Sequence, residues 1–113
     1  MNVIKRTGEI VPFDKNKIIH AINKAFVEVD GQLYEDDTAK DIATDIEALI
    51  ASKETDIPDV EKIQDLVEEF LMRSERKDVA RAYIRYRYKK EVARGVKDDF
   101  IKGIEEKLTA RNV

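Results

Sequence analysis

Apolar positions alternate with polar ones at the start of the chain and then recur every three or four residues, so a short β segment precedes a run of helices. Residues 2 to 6 and 9 to 13 are rich in β-branched side chains, and the spacer Thr7-Gly8 suits a hairpin turn. With a two-residue loop, Ile4 faces Val11 and Arg6 faces Glu9, while Val3, Lys5 and Ile10 share the opposite face. Lys5 then rises from an apolar surface.

Asp14 reads as the N-cap of a first helix, with Phe13 before it and Ile18 after it forming a hydrophobic staple. The stripe Ile18, Ala21, Ile22, Ala25, Phe26 and Val29 faces a core until "DGQLYEDD" interrupts it. A second helix, capped near Asp36 or Asp37, buries Ala39, Ile42, Ala43, Ile46, Leu49 and Ile50 through about residue 53. Pro58 then closes the connection "SKETDIPDV", in which residues 55 to 57 suit a short added strand. Asp59 caps a third helix carrying Ile63, Leu66, Val67, Phe70 and Leu71. A fourth, from about residue 77 to 93, is apolar on more than one side: Val79, Ala82, Tyr83 and Tyr86, but also Ile84, Tyr88 and Val92. That pattern predicts a helix between neighbours. Gly95 is read as a break, after which Phe100, Ile101, Ile104 and Leu108 mark a fifth, short amphipathic helix.

Composition narrows the class. With 113 residues, 42% hydrophobic, 40% charged, four Gly and two Pro, the chain suits one mainly helical α+β domain. No apolar run approaches the roughly 20 residues that cross a bilayer, and "MNVIKRTGEI" lacks the apolar stretch of a secretion signal. The absence of cysteine fits a reducing, cytoplasmic setting and excludes thiol, disulfide and Cys-metal chemistry in this chain. His20, the only histidine, lies between Lys17 and Lys24 at helical spacing and belongs to a solvated face. Ser-His or Cys-His nucleophiles and metal clusters therefore lack components, and no catalytic residue is assigned. The net charge of −3 argues mildly against a dedicated nucleic-acid binder, and the lack of a long apolar run predicts no membrane partner.

Against that acidic background, Lys5, Arg6 and Lys17 converge on the start of the first helix, where free N–H groups and the helix dipole favour phosphate. Composition alone leaves a plainer reading, that Lys5 and Arg6 are hairpin-edge charges opposing aggregation. Downstream, Arg81, Arg85 and Lys89 form a second basic stripe with Tyr83, Tyr86 and Tyr88 interleaved, as single-stranded nucleic-acid sites do. The plainer alternative is a buried helix with its long cations reaching out to solvent.

"VIKRTG", "FDKNKI", "VEKIQDLVEEFLM" and "DVARAYIRYRYKK", in this order and spacing over residues 2 to 92, resemble the ATP-cone, the nucleotide-sensing domain at the N-terminus of ribonucleotide reductases. The wording of "IQDLVE" and "AYIRYRYKK" is most similar to the anaerobic, glycyl-radical class, and "FIKGIEEKLTARNV" resembles the segment leading into its catalytic barrel. The resemblance implies a four-helix bundle capped by a hairpin or three-stranded sheet over residues 1–92, with 93–113 a helical linker. Carried over by position, it implies Lys5, Arg6, Lys17 and Lys89 as triphosphate ligands, Asp14 as a ribose or phosphate-side contact, and Ile63 and Gln64 as base contacts. An amide such as Gln64 both donates to and accepts from an adenine edge. Thr7 stands where the family usually has Asp, and Val11 is apolar where some relatives carry an acid.

The implied role is regulatory: ATP permits and dATP suppresses ribonucleotide reduction for deoxyribonucleotide synthesis and DNA replication. Mg²⁺ would accompany the nucleotide. The implied partners are the reductase's catalytic domain and a second cone in a homo-oligomer. Two other readings are the cone of a nucleotide-responsive transcriptional repressor and a helical nucleic-acid or protein interaction module built on Arg81, Arg85 and Lys89.

Overall fold

The structure, a computed structural model, describes residues 1–33, 37–53 and 56–111, with side chains described through residue 95. Its elements run β1 (Asn2–Ile4), β2 (Ile10–Pro12), α1 (Lys15–Asp30), α2 (Thr38–Ser52), α3 (Val60–Arg73) and α4 (Lys77–Arg111). The mainly helical α+β expectation holds among these residues. None of their helices is long and apolar enough to cross a membrane.

The hairpin forms with a register one residue away from that expected. Val3 pairs with Val11 and Ile4 with Ile10. Gly8 N–H donates to the Lys5 carbonyl at 2.8 Å, and Lys5 N–H to the Glu9 carbonyl at 2.8 Å. The loop is therefore the three residues Arg6, Thr7 and Gly8, closed by Gly8 at φ +88°, a backbone region where side chains are strained. Two corrections follow: Lys5, not Arg6, faces Glu9, and Val3, Lys5 and Val11 share one face while Ile10 turns to the other. Arg6 leaves the ladder for the turn. The expected third strand is reduced to a single parallel bridge between Ile4 and Asp59, with Ile4 N–H donating to the Pro58 carbonyl at 2.9 Å. Residue 55 of that expected strand lies outside the described residues.

The helix starts follow the sequence. Asp14 accepts from Asn16 N–H at 3.0 Å and Asp59 from Lys62 N–H at 2.7 Å, each satisfying one of the free donors of a first turn. Gly31, left-handed at φ +75°, ends α1 by donating to Val27. Asp37 takes the N-cap position of α2 without a side-chain bond, and Asp36 lies outside the described residues.

The chain divides into two compact units, Met1–Tyr83 and Ile84–Val113, with the division inside α4. In the first, α1 packs against α2 and α2 against α3. Ile22, Ile46, Val67, Leu71 and Val79 are fully buried at its centre, with Val3 of β1 also buried. Arg76, just before α4, donates to both Asp30 carboxylate oxygens at 3.1 and 2.7 Å and to Asp78, and lies 5.4 Å from the Phe26 ring centre. This fork joins the end of α1 to the start of α4. In the second unit α4 runs on through Gly95, so the expected break and separate fifth helix are not found. A glycine inside a helix costs about 1 kcal/mol against alanine, which a long helix absorbs. The face Phe100, Ile101, Ile104 and Leu108 lies outside the described side chains. Ile84, Tyr88 and Val92 are exposed, which corrects the expectation of a helix between neighbours on both sides.

Two outcomes test this packing. Leu71→Ala should cost about 2–5 kcal/mol in urea unfolding, whereas His20→Ala, on an exposed position, should stay within about 0.5 kcal/mol. The hydrogen bond from Arg76 holds the Asp78 carboxyl below its ordinary value of 3.8. A carboxylate whose pKa falls on folding stabilises above its unfolded pKa and loses that contribution as pH drops through the folded value. The stability gap between wild type and Asp78→Asn should therefore be open at neutral pH and close progressively below about pH 4 in pH-dependent urea titrations.

Candidate functional site

A cleft of about 370 Å³ opens between the hairpin, the start of α1 and the start of α3. That volume lies within the range of small-molecule sites. Its floor is the outer surface of the core: Val3, Ile18, Val67 and Tyr83, all buried. Val11, Phe13 and Ala21 extend this apolar surface. The cations sit at its margin, Lys5 and Arg6 from the hairpin and Lys17 from the first turn of α1. Among the described lining residues Asp14 is the one carboxylate, and its side chain is already engaged as the helix cap. An acidic chain thus presents a cationic margin over an apolar floor, an arrangement suited to a flat apolar group carrying phosphates.

The hairpin register explains how this comes about. Placing Lys5 on the same face as Val3 and Val11 directs it over the floor, and its partner Glu9 stands off at 3.8 Å. Arg6, in the turn, reaches across to α3, donating to the Glu61 carboxylate at 2.9 Å and to Gln64 Oε1 at 3.1 Å. Val60, Ile63 and Gln64 form the α3 wall of the cleft.

Six residues expected from the sequence, Lys5, Arg6, Asp14, Lys17, Ile63 and Gln64, therefore line one cleft of the first unit. Lys89 belongs to the second unit, where it is exposed on α4. The sequence reading missed Glu61, whose pairing with Arg6 spans 55 residues and carries no local pattern. It also missed the floor residues Val67 and Tyr83 as site residues, since their spacing marks them only as core. A second cleft of about 380 Å³, between the end of α2 and the start of α3, mixes Lys53 and Lys62 with Asp56 and Asp59 and has no comparable cationic excess. Among the described residues no group of three or more His, Cys, Asp or Glu is placed to hold a metal ion.

The family model described as the ATP cone domain matches residues 1–92. The chain belongs to the ATP-cone family. Its relatives include a vitamin B12-dependent ribonucleoside-diphosphate reductase of Thermoplasma acidophilum, 44% identical over 108 residues, covering 86% of this chain and 14% of the relative. An anaerobic ribonucleoside-triphosphate reductase of Haemophilus influenzae is 34% identical over 113 residues, 98% of this chain and 15% of its own length. A ribonucleoside-diphosphate reductase subunit alpha of Treponema pallidum is 39% identical over 101 residues, 83% of this chain and 12% of that protein. The chain thus spans about one-seventh of the first two relatives. An ATP cone is a regulatory domain of a much larger reductase, not a catalytic one.

The caps flanking the cleft give a direct test. Asp14→Ala should cost about 1 kcal/mol of stability in urea unfolding, while Asp14→Asn, which caps equally well, should cost close to nothing.

Proposed function

We propose that this ATP cone binds ATP and dATP as allosteric effectors in the hairpin–α1–α3 cleft and thereby controls the overall activity of a ribonucleotide reductase. The observation that carries the reading is the convergence of Lys5, Arg6 and Lys17 on the margin of an apolar cleft walled by Ile63 and Gln64. In this reading the three cations take the triphosphate, the adenine lies on the apolar floor against Ile63, and Gln64 meets its edge. Asp14 lies on the ribose and phosphate side. Lys89 is assigned a phosphate contact on the likeness of "AYIRYRYKK" alone. A Mg²⁺ ion would accompany the nucleotide on its phosphate oxygens.

The parent is a larger polypeptide in which residues 1–92 form the regulatory domain and 93–113 a helical linker toward the catalytic domain. Deoxyribonucleotide supply for DNA replication in the cytoplasm is the setting that this implies. The relatives span B12-dependent, anaerobic and alpha-subunit reductases. They support ribonucleotide reduction in general, while the anaerobic class rests on the wording of "IQDLVE" and "AYIRYRYKK". Cone–cone association is the proposed route from effector to activity, since an effector acts only through different affinities for two states. Nucleic-acid binding by the Arg81, Arg85 and Lys89 stripe has less support. Of its tyrosines Tyr83 is buried, Tyr86 lies under Lys90 at 5.6 Å, and only Tyr88 is broadly exposed.

Isothermal titration tests the proposal. ATP and dATP should bind in preference to pyrimidine triphosphates, and Lys5→Ala or Lys17→Ala should weaken both by about tenfold, the scale of one charge-assisted phosphate contact. Equal affinity for all triphosphates, or unchanged binding in both variants, would contradict it. Mass measurement by light scattering with ATP and then dATP should give two different assembly states.

A further inference from the structure

Arg6 faces the cleft already occupied. Each of its two terminal nitrogens gives a hydrogen bond to α3, one to the Glu61 carboxylate at 2.9 Å and one to Gln64 Oε1 at 3.1 Å. The Arg6 side chain is 30% exposed and that of Glu61 62%, so the guanidinium is the more buried member of the pair. Glu61 also lies in the first turn of α3, where the helix dipole favours its negative charge. A phosphate arriving at Lys5 and Lys17 therefore competes with a carboxylate for the Arg6 guanidinium.

Resting on the nucleotide-site reading above, we propose that Glu61 is an affinity-determining residue. It acts as a built-in anion that pairs with Arg6 and competes with an incoming phosphate for it. The displacement cost belongs to the Arg6–Glu61 pair and not to the incoming molecule. It therefore lowers the affinity of every ligand that uses Arg6 by the same factor. An exposed ion pair is worth little, which sets that factor at about threefold to fivefold. Glu61 thus keeps binding weaker than the three cations alone would make it. A sensor gains from this, because affinity must match the effector's working concentration to respond to it.

The test is a double-mutant cycle by isothermal titration on the 113-residue chain, using wild type, Glu61→Gln, Arg6→Ala and the double variant. The probes are ATP, dATP, inorganic tripolyphosphate and uncharged adenosine. Glu61→Gln should tighten ATP, dATP and tripolyphosphate by one common factor of about threefold to fivefold and leave adenosine unchanged. In the Arg6→Ala background the same substitution should have no effect. Three results overturn the role of Glu61 while leaving the nucleotide site standing. They are weaker phosphate binding in Glu61→Gln, unchanged binding, and tightening that persists without Arg6, which marks a general loss of negative charge. Failure of wild type and all variants to bind any phosphate probe contradicts both this role and the proposed function.

Discussion

The hydrogen bond from Ile4 N–H to the Pro58 carbonyl, at 2.9 Å, is the constraint on which the cleft depends. It fastens the hairpin to the residue that precedes the α3 cap. Pro58 has no N–H to offer, so its carbonyl is the backbone group with which it can join a ladder. With β1 fixed there, the hairpin turn lies within side-chain reach of the first turn of α3, and Arg6 spans the gap to Glu61 and Gln64. Asp59, next in sequence, caps α3 and bridges Ile4. A short stretch of chain thus sets one wall of the cleft and aligns the other with it.

The two kinds of force in this unit differ in strength. Burial of Ile22, Ile46, Leu71 and Val79 supplies a rigid frame, each large side chain worth about 1.5–3 kcal/mol when fully buried. The hairpin is held to that frame by Val3, the Ile4–Pro58 backbone bond of about 1 kcal/mol and the exposed Arg6 pair. The element carrying Lys5 and Arg6 is therefore the one most easily repositioned by a ligand at little cost to the fold. Such an arrangement suits an effector site, where binding free energy must change a conformational balance.

Much of this was legible locally. Asp14 and Asp59 announce helix starts because their carboxylates satisfy first-turn N–H groups, and the apolar spacing of α1 to α3 matches what is buried. The convergence of Lys5, Arg6 and Lys17 was legible because hairpin and helix start are adjacent in sequence, while Ile63 and Gln64 came from family likeness. The hairpin register was not, since Thr7-Gly8 fits a two-residue loop as readily as the end of a three-residue one. The difference lies in the two bonds that close the turn, Lys5 N–H to the Glu9 carbonyl and Gly8 N–H to the Lys5 carbonyl. Gly95 misled because its helix cost is smaller than the tendency of its neighbours to continue the helix. Glu61 could not be found, because its role arises from a contact across 55 residues.

The most direct measurement is amide chemical-shift mapping by ¹⁵N–¹H NMR as ATP is added. The account predicts that residues 5–8, 14–17 and 60–64 shift together in a saturable manner, while the α2 surface around Asp45 stays still. Shifts confined to the Arg81, Arg85 and Lys89 stripe, or around Lys53 and Lys62 in the second cleft, would contradict it.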